Sequence, residues 1–323
     1  MTDIQNQNNP GTRPSENWER EAILKLANAS LNEQKKARRW GIFFKLLMFF
    51  YLFGIIWLYS PKNWKPVSGI GKAHTALVEL KGVIASDSEA SADAVIASLR
   101  RAFEDEQSKG VILRINSPGG SPVQAGYIND EIKRLRKKFP QKPLYAVITD
   151  ICASGGYYVA AAADKIYADK ASLVGSIGVL MNGFGFVEAM KKVGVERRLI
   201  TAGEHKGFLD PFTPIKPVEM EHVKNMLKEI HQQFINTVKE GRGSRLKQND
   251  DIFSGLIWTG EKAIDLGLVD ALGSSSYVAR EVIGAEDIVD YTNREPYFEK
   301  LAKKLGAGAT AQLLGTPGSL WLR

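Results

Sequence analysis

Two glycine-rich turns, each standing between an apolar run and a helical run, constrain the fold of this chain more than any other feature. The first turn, residues 116–122, follows the β-like run 110–115 and precedes a predicted helix. The second turn, residues 153–156, follows the β-like run 144–149 and also precedes a predicted helix. Successive strand, turn and helix units predict an α/β domain with a parallel sheet, whose functional loops gather at the carboxyl ends of its strands.

The second turn places the hydroxyl of Ser154 on a sharp corner beside backbone N–H groups at the start of a helix. Such a corner suits a nucleophile, because the N–H groups can stabilise a developing negative charge. Serine is also a preferred helix cap, so the turn alone does not distinguish the two roles. In the first turn, Gly119 and Gly120 can let backbone N–H groups point into a cleft, as an oxyanion hole requires, although paired glycines also occur in ordinary turns.

A run of twenty residues, 40–59, carries a single charge, that of Lys45. Twenty residues of helix span the roughly 30 Å hydrocarbon core of a bilayer. Basic residues are more numerous before this run, in the cluster 35–39, than after it, which favours a cytoplasmic N-terminus. A cleaved signal peptide and a buried soluble helix are the alternatives. The sequence therefore predicts a cytoplasmic tail over 1–39, a transmembrane helix over 40–59 and a linker over 60–72.

The folded domain is predicted over residues 73–290, followed by a C-terminal tail over 291–323. Hydrophobic periodicity predicts further strands over 75–80, 165–168, 177–181 and 197–201. It predicts helices over 15–36, 91–103, 186–193, 217–239 and 259–270. The apolar stripe of the helix over 217–239 is expected to pack in the core.

Composition argues against several other classes of protein. The net charge of +7 is spread over 43 basic and 36 acidic residues, so no nucleic-acid partner is predicted. The single cysteine, Cys152, excludes an internal disulfide and a multi-cysteine zinc site, and it is expected to be a buried packing residue. Four histidines leave few ways to build a metal centre, and no metal or other cofactor is predicted.

A serine nucleophile needs a base to take its proton, and the sequence leaves that base open. His74 lies at the edge of the linker, while His222 and His231 fall on the predicted long helix. His205 alone stands in a loop, next to Lys206. A lysine acts as a base only where burial against apolar groups makes it lose its proton, and the spacing alone favours a surface lysine at position 206.

Six motifs in order resemble the signal peptide peptidase A family. They are residues 116–120, 153–158, 163–168, 174–179, the loop of Lys206 and residues 260–270. This family contains membrane-anchored serine proteases with a Ser-Lys dyad and a Clp-protease/crotonase-like fold of repeated β-β-α units. The resemblance extends over roughly residues 73–285.

The resemblance implies a role for each site residue. Ser154 would be the nucleophile, Lys206 the general base and Ser176 the hydroxyl that orients the lysine. The oxyanion hole would consist of backbone N–H groups of three glycines, Gly119, Gly120 and Gly155. Three residues near these positions receive no role, namely Glu204, His205 and Cys152, and Glu204 is expected to point away from the lysine.

The resemblance also implies the setting in which the protein works. Its substrates would be peptides, above all remnant signal peptides, and its copies would assemble into homo-oligomers. It would be a single-pass protein of the bacterial inner membrane with its catalytic domain outside the cytoplasm. Two alternatives are a crotonase-type acyl-CoA enzyme, which shares the fold and the glycine-built oxyanion hole, and a non-enzymatic membrane scaffold.

Overall fold

The computed structural model describes the backbone of residues 17–59 and 72–294, and the side chains of residues 21–55 and 72–294. The chain divides into two compact units, residues 1–66 and 67–323. The predicted linker falls almost entirely outside the described residues, as does the predicted tail after residue 294.

The described part of the first unit is one helix of 43 residues, α1 (Asn17–Tyr59). It merges the two helices predicted over 15–36 and 40–59. Between Trp40 and Phe53 its large apolar side chains are 46–69% exposed. The predicted transmembrane helix is not found. In α1 the side chains are described only as far as Ile55. Among the residues whose side chains are described, no helix is long and apolar enough to cross a bilayer.

The second unit alternates strands and helices along most of its length. Its strands are β1 (His74–Lys81), β2 (Ser108–Ser117), β3 (Leu144–Ala153), β4 (Lys165–Ala168), β5 (Leu173–Gly175), β6 (Ile257–Thr259), β7 (Ala271–Leu272) and β8 (Ile288–Asp290). Its helices are α2 (Ala92–Glu104), α3 (Pro122–Lys138), α4 (Gly155–Ala160), α5 (Val187–Lys192), α6 (Pro217–Arg242), α7 (Gly260–Asp265) and α8 (Ser275–Tyr277). A π-helical turn, Val278–Ile283, continues α8.

The eight strands within residues 72–294 form one sheet in the order β6-β5-β3-β2-β1-β8, with β4 pairing with β3 and β7. Every pairing is parallel except that of β5 with β6. The central strands are apolar on both faces because both faces are covered. Leu113 and Ile115 of β2 belong to the larger core cluster, whereas Ile112 packs with Val278 and Ala279 on the opposite face. The predicted α/β class with a mostly parallel sheet is therefore confirmed.

The strands predicted over 177–181 and 197–201 are wrong. Neither segment is a strand, and no residue from 180 to 216 is buried. An apolar run becomes a strand only where a neighbouring strand offers ladder hydrogen bonds, and no strand that the structure describes pairs with either segment. The local order near the site comes instead from β5, which pairs with the end of β3.

A buried ion pair joins the end of α6 to the sheet. Arg242 is 1% exposed, and its guanidinium donates to both carboxylate oxygens of Asp270 at 2.8 and 2.9 Å. Burial raises the pKa of Asp270, but the hydrogen bonds and charge of Arg242 outweigh burial and hold that pKa below its ordinary value. Two residues earlier, the carbonyl of Leu268 accepts a hydrogen bond from the hydroxyl of Tyr157, at 2.8 Å. The network thereby anchors α4, the helix that follows Ser154.

Candidate active site

Ser154 occupies a strained corner between β3 and α4. Its φ of 51° and ψ of −122° lie in a region that non-glycine residues rarely adopt, and such conformations cluster at functional sites. It stands at the N-cap position of α4, yet its side chain makes no capping hydrogen bond. Its backbone N–H donates to the carbonyl of Gly175 at 2.9 Å. The geometry does not support a capping role, and the hydroxyl is half-buried at the carboxyl edge of the sheet.

The first glycine turn packs directly against this corner. A Cβ placed on Gly119 would lie 2.7 Å from the Cβ of Ser154 and 2.7 Å from the backbone nitrogen of Gly155. A Cβ on Gly120 would lie 2.2 Å from the carbonyl oxygen of Ile84. Gly119 and Gly120 also have φ values of 100° and 147°, which favour glycine. The structure thus brings the two predicted turns into contact, and glycine is required for the approach.

The three predicted oxyanion glycines are not equivalent. The N–H of Gly119 already donates to the hydroxyl oxygen of Ser117, at 3.1 Å. The N–H groups of Gly120 and Gly155 have no hydrogen-bond partner among the residues that the structure describes. The nitrogen of Gly120 lies 3.3 Å from the point where a Cβ of Gly155 would stand, so the two N–H groups are neighbours. Gly120 and Gly155 therefore offer N–H donors, whereas Gly119 lacks a Cβ and so allows the two turns to approach each other.

Ser176 lies at the same edge of the sheet. Gly175, the residue before it, pairs with Ala153, the residue before the Ser154 corner. Ser176 has a φ of 50°, and its N–H donates to the carbonyl of Leu256 at 2.8 Å. The structure thus brings Ser176 to the nucleophile's side of the domain.

Lys206 is not hydrogen-bonded to Ser154 among the residues that the structure describes. Its side chain is exposed and makes no hydrogen bond or ion pair with any described residue. Glu204 is exposed as well and forms no ion pair with it. His205 lines a cavity of about 380 Å³ together with Phe208, Val218, Glu219 and His222.

Two of the other histidines are committed elsewhere. His74 contacts the carbonyl of Lys72 at 2.9 Å and the hydroxyl of Tyr291 at 3.0 Å. His231 contacts the carbonyl of Ile177 at 3.2 Å. These contacts leave neither imidazole hydrogen-bonded to Ser154.

Cys152 is fully buried beneath the site. Burial raises the pKa of its thiol, which keeps it protonated and unreactive. This agrees with the predicted packing role. Within residues 21–55 and 72–294, no group of three or more His, Cys, Asp or Glu side chains could hold a metal ion.

Comparison with known proteins decides the family. The model of peptidase family S49 matches residues 136–289. A Synechocystis sp. protein provisionally named a protease is 33% identical over 199 residues, which cover 62% of this chain and 69% of that protein. The chain belongs to peptidase family S49. The S49 assignment confirms the resemblance to signal peptide peptidase A and disfavours the acyl-CoA enzyme and the scaffold.

Longer relatives share the same part of the chain. Protease 4 of Haemophilus influenzae is 35% identical over 204 residues, which cover 62% of this chain and 32% of that protein. A Brucella abortus protein named Na(+)/H(+) antiporter NhaA is 46% identical over 207 residues, which cover 64% of this chain and 28% of that protein. This S49 chain thus spans less than a third of each of these two relatives.

Proposed function

We propose that the protein is a serine endopeptidase in which Ser154 is the nucleophile. The observation that carries the proposal is the pairing of the Ser154 corner with two unengaged backbone donors, the N–H groups of Gly120 and Gly155. Such donors stabilise the oxyanion of a tetrahedral intermediate and often make the largest single contribution to acyl transfer. The finer description of the fold, repeated Clp-protease/crotonase-like β-β-α units, belongs to the same proposal and is supported by the parallel sheet.

The reaction follows the general scheme of acyl transfer. A base takes the proton of the Ser154 hydroxyl, and the oxygen attacks the carbonyl carbon of the scissile peptide. The carbonyl oxygen becomes an oxyanion that accepts from the N–H groups of Gly120 and Gly155. The protonated base then gives its proton to the leaving amine. In the second half of the reaction the base takes a proton from water, the water oxygen attacks the acyl-enzyme, and the base returns the proton to the oxygen of Ser154.

Lys206 is the proposed base, and a second copy of the chain is the proposed means of bringing it to Ser154. Three large apolar side chains of the segment 180–216 are almost fully open, with Leu180 79%, Phe184 83% and Ile200 95% exposed. Exposed apolar patches of this kind mark interaction surfaces. Burial of this segment between copies would also desolvate Lys206, which favours the neutral amine that a general base needs.

A mixing experiment tests the dyad and the assembly together. Ser154→Ala and Lys206→Ala are each expected to abolish peptidase activity, whereas Lys192→Ala, an exposed lysine of the same segment, keeps it. Co-expression of the two inactive variants regenerates active sites if the lysine comes from another copy. Full activity of Lys206→Ala would refute the base. An inactive mixture that still assembles would refute the exchange between copies.

The substrates and location form the finer part of the proposal. We propose that the protein cleaves remnant signal peptides at the bacterial inner membrane, with the second unit outside the cytoplasm. Family membership, the nearly uncharged run 40–59 and the exposed apolar side chains of α1 support it. A reporter fused after Arg323 is expected to be active outside the cytoplasm. Activity in the cytoplasm would refute the orientation.

A further inference from the structure

Ser117 is a buried polar residue at the active-site edge that the sequence analysis gave no role. It ends β2, lies in register with Cys152 and is 0% exposed. Its side chain nevertheless reaches two backbone groups of the surrounding loops, those of Gly82 and Gly119. A buried hydroxyl that is hydrogen-bonded to two backbone groups holds both groups in position.

The directions of these two hydrogen bonds follow from the donor inventory. The Ser117 hydroxyl has one proton, and the carbonyl of Gly82, 2.6 Å away, can only accept it. The hydroxyl oxygen must then accept from the N–H of Gly119, at 3.1 Å. One side chain therefore ties the end of β1 to the glycine turn and removes the Gly119 N–H from the donors available to a ligand.

The peptide group between Gly119 and Gly120 is oriented by a hydrogen bond from Ile84. The carbonyl of Gly119 accepts from the N–H of Ile84 at 2.9 Å. In a trans peptide the carbonyl and the following N–H point in opposite directions. The N–H of Gly120 therefore points away from Ile84, and its nitrogen stands beside Gly155.

We propose that Ser117 is a positioning residue for the oxyanion hole. Its hydroxyl holds the N–H of Gly119 while the N–H of Ile84 holds the carbonyl of Gly119, so that the N–H of Gly120 turns toward the carbonyl that Ser154 attacks. The inference rests on the proposed peptidase function. It adds that the two glycines of the turn have different roles: Gly119 is the anchored residue, and Gly120 is the hydrogen-bond donor.

Ser117→Ala tests the anchor. The substitution leaves the Gly119 N–H and the Gly82 carbonyl unpaired, so the turn is held by its hydrogen bonds to Ile84 alone and can shift. Removing an oxyanion donor lowers kcat by about 10²–10³-fold, so misaligning one is expected to lower kcat by about 10–100-fold with little change in KM.

Ser98→Ala is the matched control. Ser98 is 1% exposed, donates to the carbonyl of Ala94 at 2.8 Å and accepts from the N–H of Asn293 at 2.9 Å, so it loses the same two kinds of hydrogen bond. Both variants are expected to melt at a lower temperature, but only Ser117→Ala should lose kcat per folded enzyme. Equal kcat values for the two variants, measured on folded full-length protein, overturn the proposal.

A measurement on the wild type covers the case in which Ser117→Ala does not fold. Hydrogen exchange of ¹⁵N-labelled glycines is followed with and without an apolar peptide aldehyde, which forms a hemiacetal with the nucleophilic serine. The Gly119 amide should be protected in both states, and the Gly120 and Gly155 amides only in the adduct. Protection of Gly119 that arises only in the adduct overturns the role of Ser117. A wild type that neither cleaves peptides nor forms the adduct contradicts the proposed function itself.

Discussion

Gly119→Ala perturbs the closest contact between the two turns. At a φ of 100° an alanine is strained, which costs about 1–3 kcal/mol of stability. Its Cβ would also lie 2.7 Å from the Cβ of Ser154. Carbon atoms pack favourably at about 3.5–4.0 Å, so the turns must separate by about 1 Å. A displacement of about 1 Å at a reacting group can lower the rate about 10²-fold, and we expect that loss in kcat/KM.

The assay compares Gly119→Ala with Gly284→Ala, measuring peptide cleavage per folded enzyme and the denaturant midpoint. Gly284 has a φ of 78°, but nothing lies within 4 Å of its Cβ position. Its substitution therefore introduces backbone strain without a clash, and should reduce stability while leaving activity intact. Equal activity of the two variants would refute the reasoning that the turns must touch for Ser154 to act.

Three further predictions concern Arg242, Glu131 and Cys152, which lie outside the proposed catalytic groups. Arg242→Ala leaves the largely buried carboxylate of Asp270 with only the longer ion pair to Arg245, at 3.4 Å, and should lower the free energy of unfolding by about 3 kcal/mol in urea titrations; a loss below about 1 kcal/mol would contradict the importance of the Arg242 pair. The hydrogen bond from Arg134, against the opposing effect of burial, lowers the pKa of Glu131 from 4.5 to about 2, so its stabilisation is complete above pH 4.5 and is lost as the pH falls toward 2. Glu131→Gln should flatten that part of the curve of urea midpoint against pH, and an unchanged slope would contradict the assignment. Iodoacetamide at pH 8 should leave Cys152 unmodified in the folded protein and modify it in urea, as read by intact mass, because burial raises the pKa of its thiol.

The sequence predicted the parts of the site that local chemistry encodes. The turns at 116–122 and 153–156 were visible because glycines there interrupt apolar runs, and the structure brings both turns together. The helix predicted after the first turn is α3, which Ser121 caps by accepting from the N–H of Gln124 and which Pro122 begins. These features depend on neighbouring residues alone, which is why a single sequence suffices to find them.

The parts that depend on distant partners were not predictable in the same way. The role of Ser117 rests on a hydrogen bond to Gly82, 35 positions away, and a serine before proline reads as an ordinary turn residue. The wrong strands over 177–181 and 197–201 have the apolar character of strands but no ladder partner among the strands that the structure describes. The choice of Lys206 came from the family resemblance, and it stays a prediction because no hydrogen bond joins the lysine to Ser154 among the described residues.

The site of covalent labelling shows whether Ser154 is the nucleophile. Full-length protein is treated with a fluorophosphonate probe, digested and analysed by mass spectrometry, with Ser154→Ala treated in parallel. We expect one phosphonylated peptide, modified at Ser154, and no labelling of the variant. Labelling of a different residue, or a wild type that cleaves peptides yet is labelled equally when Ser154 is replaced, would contradict it.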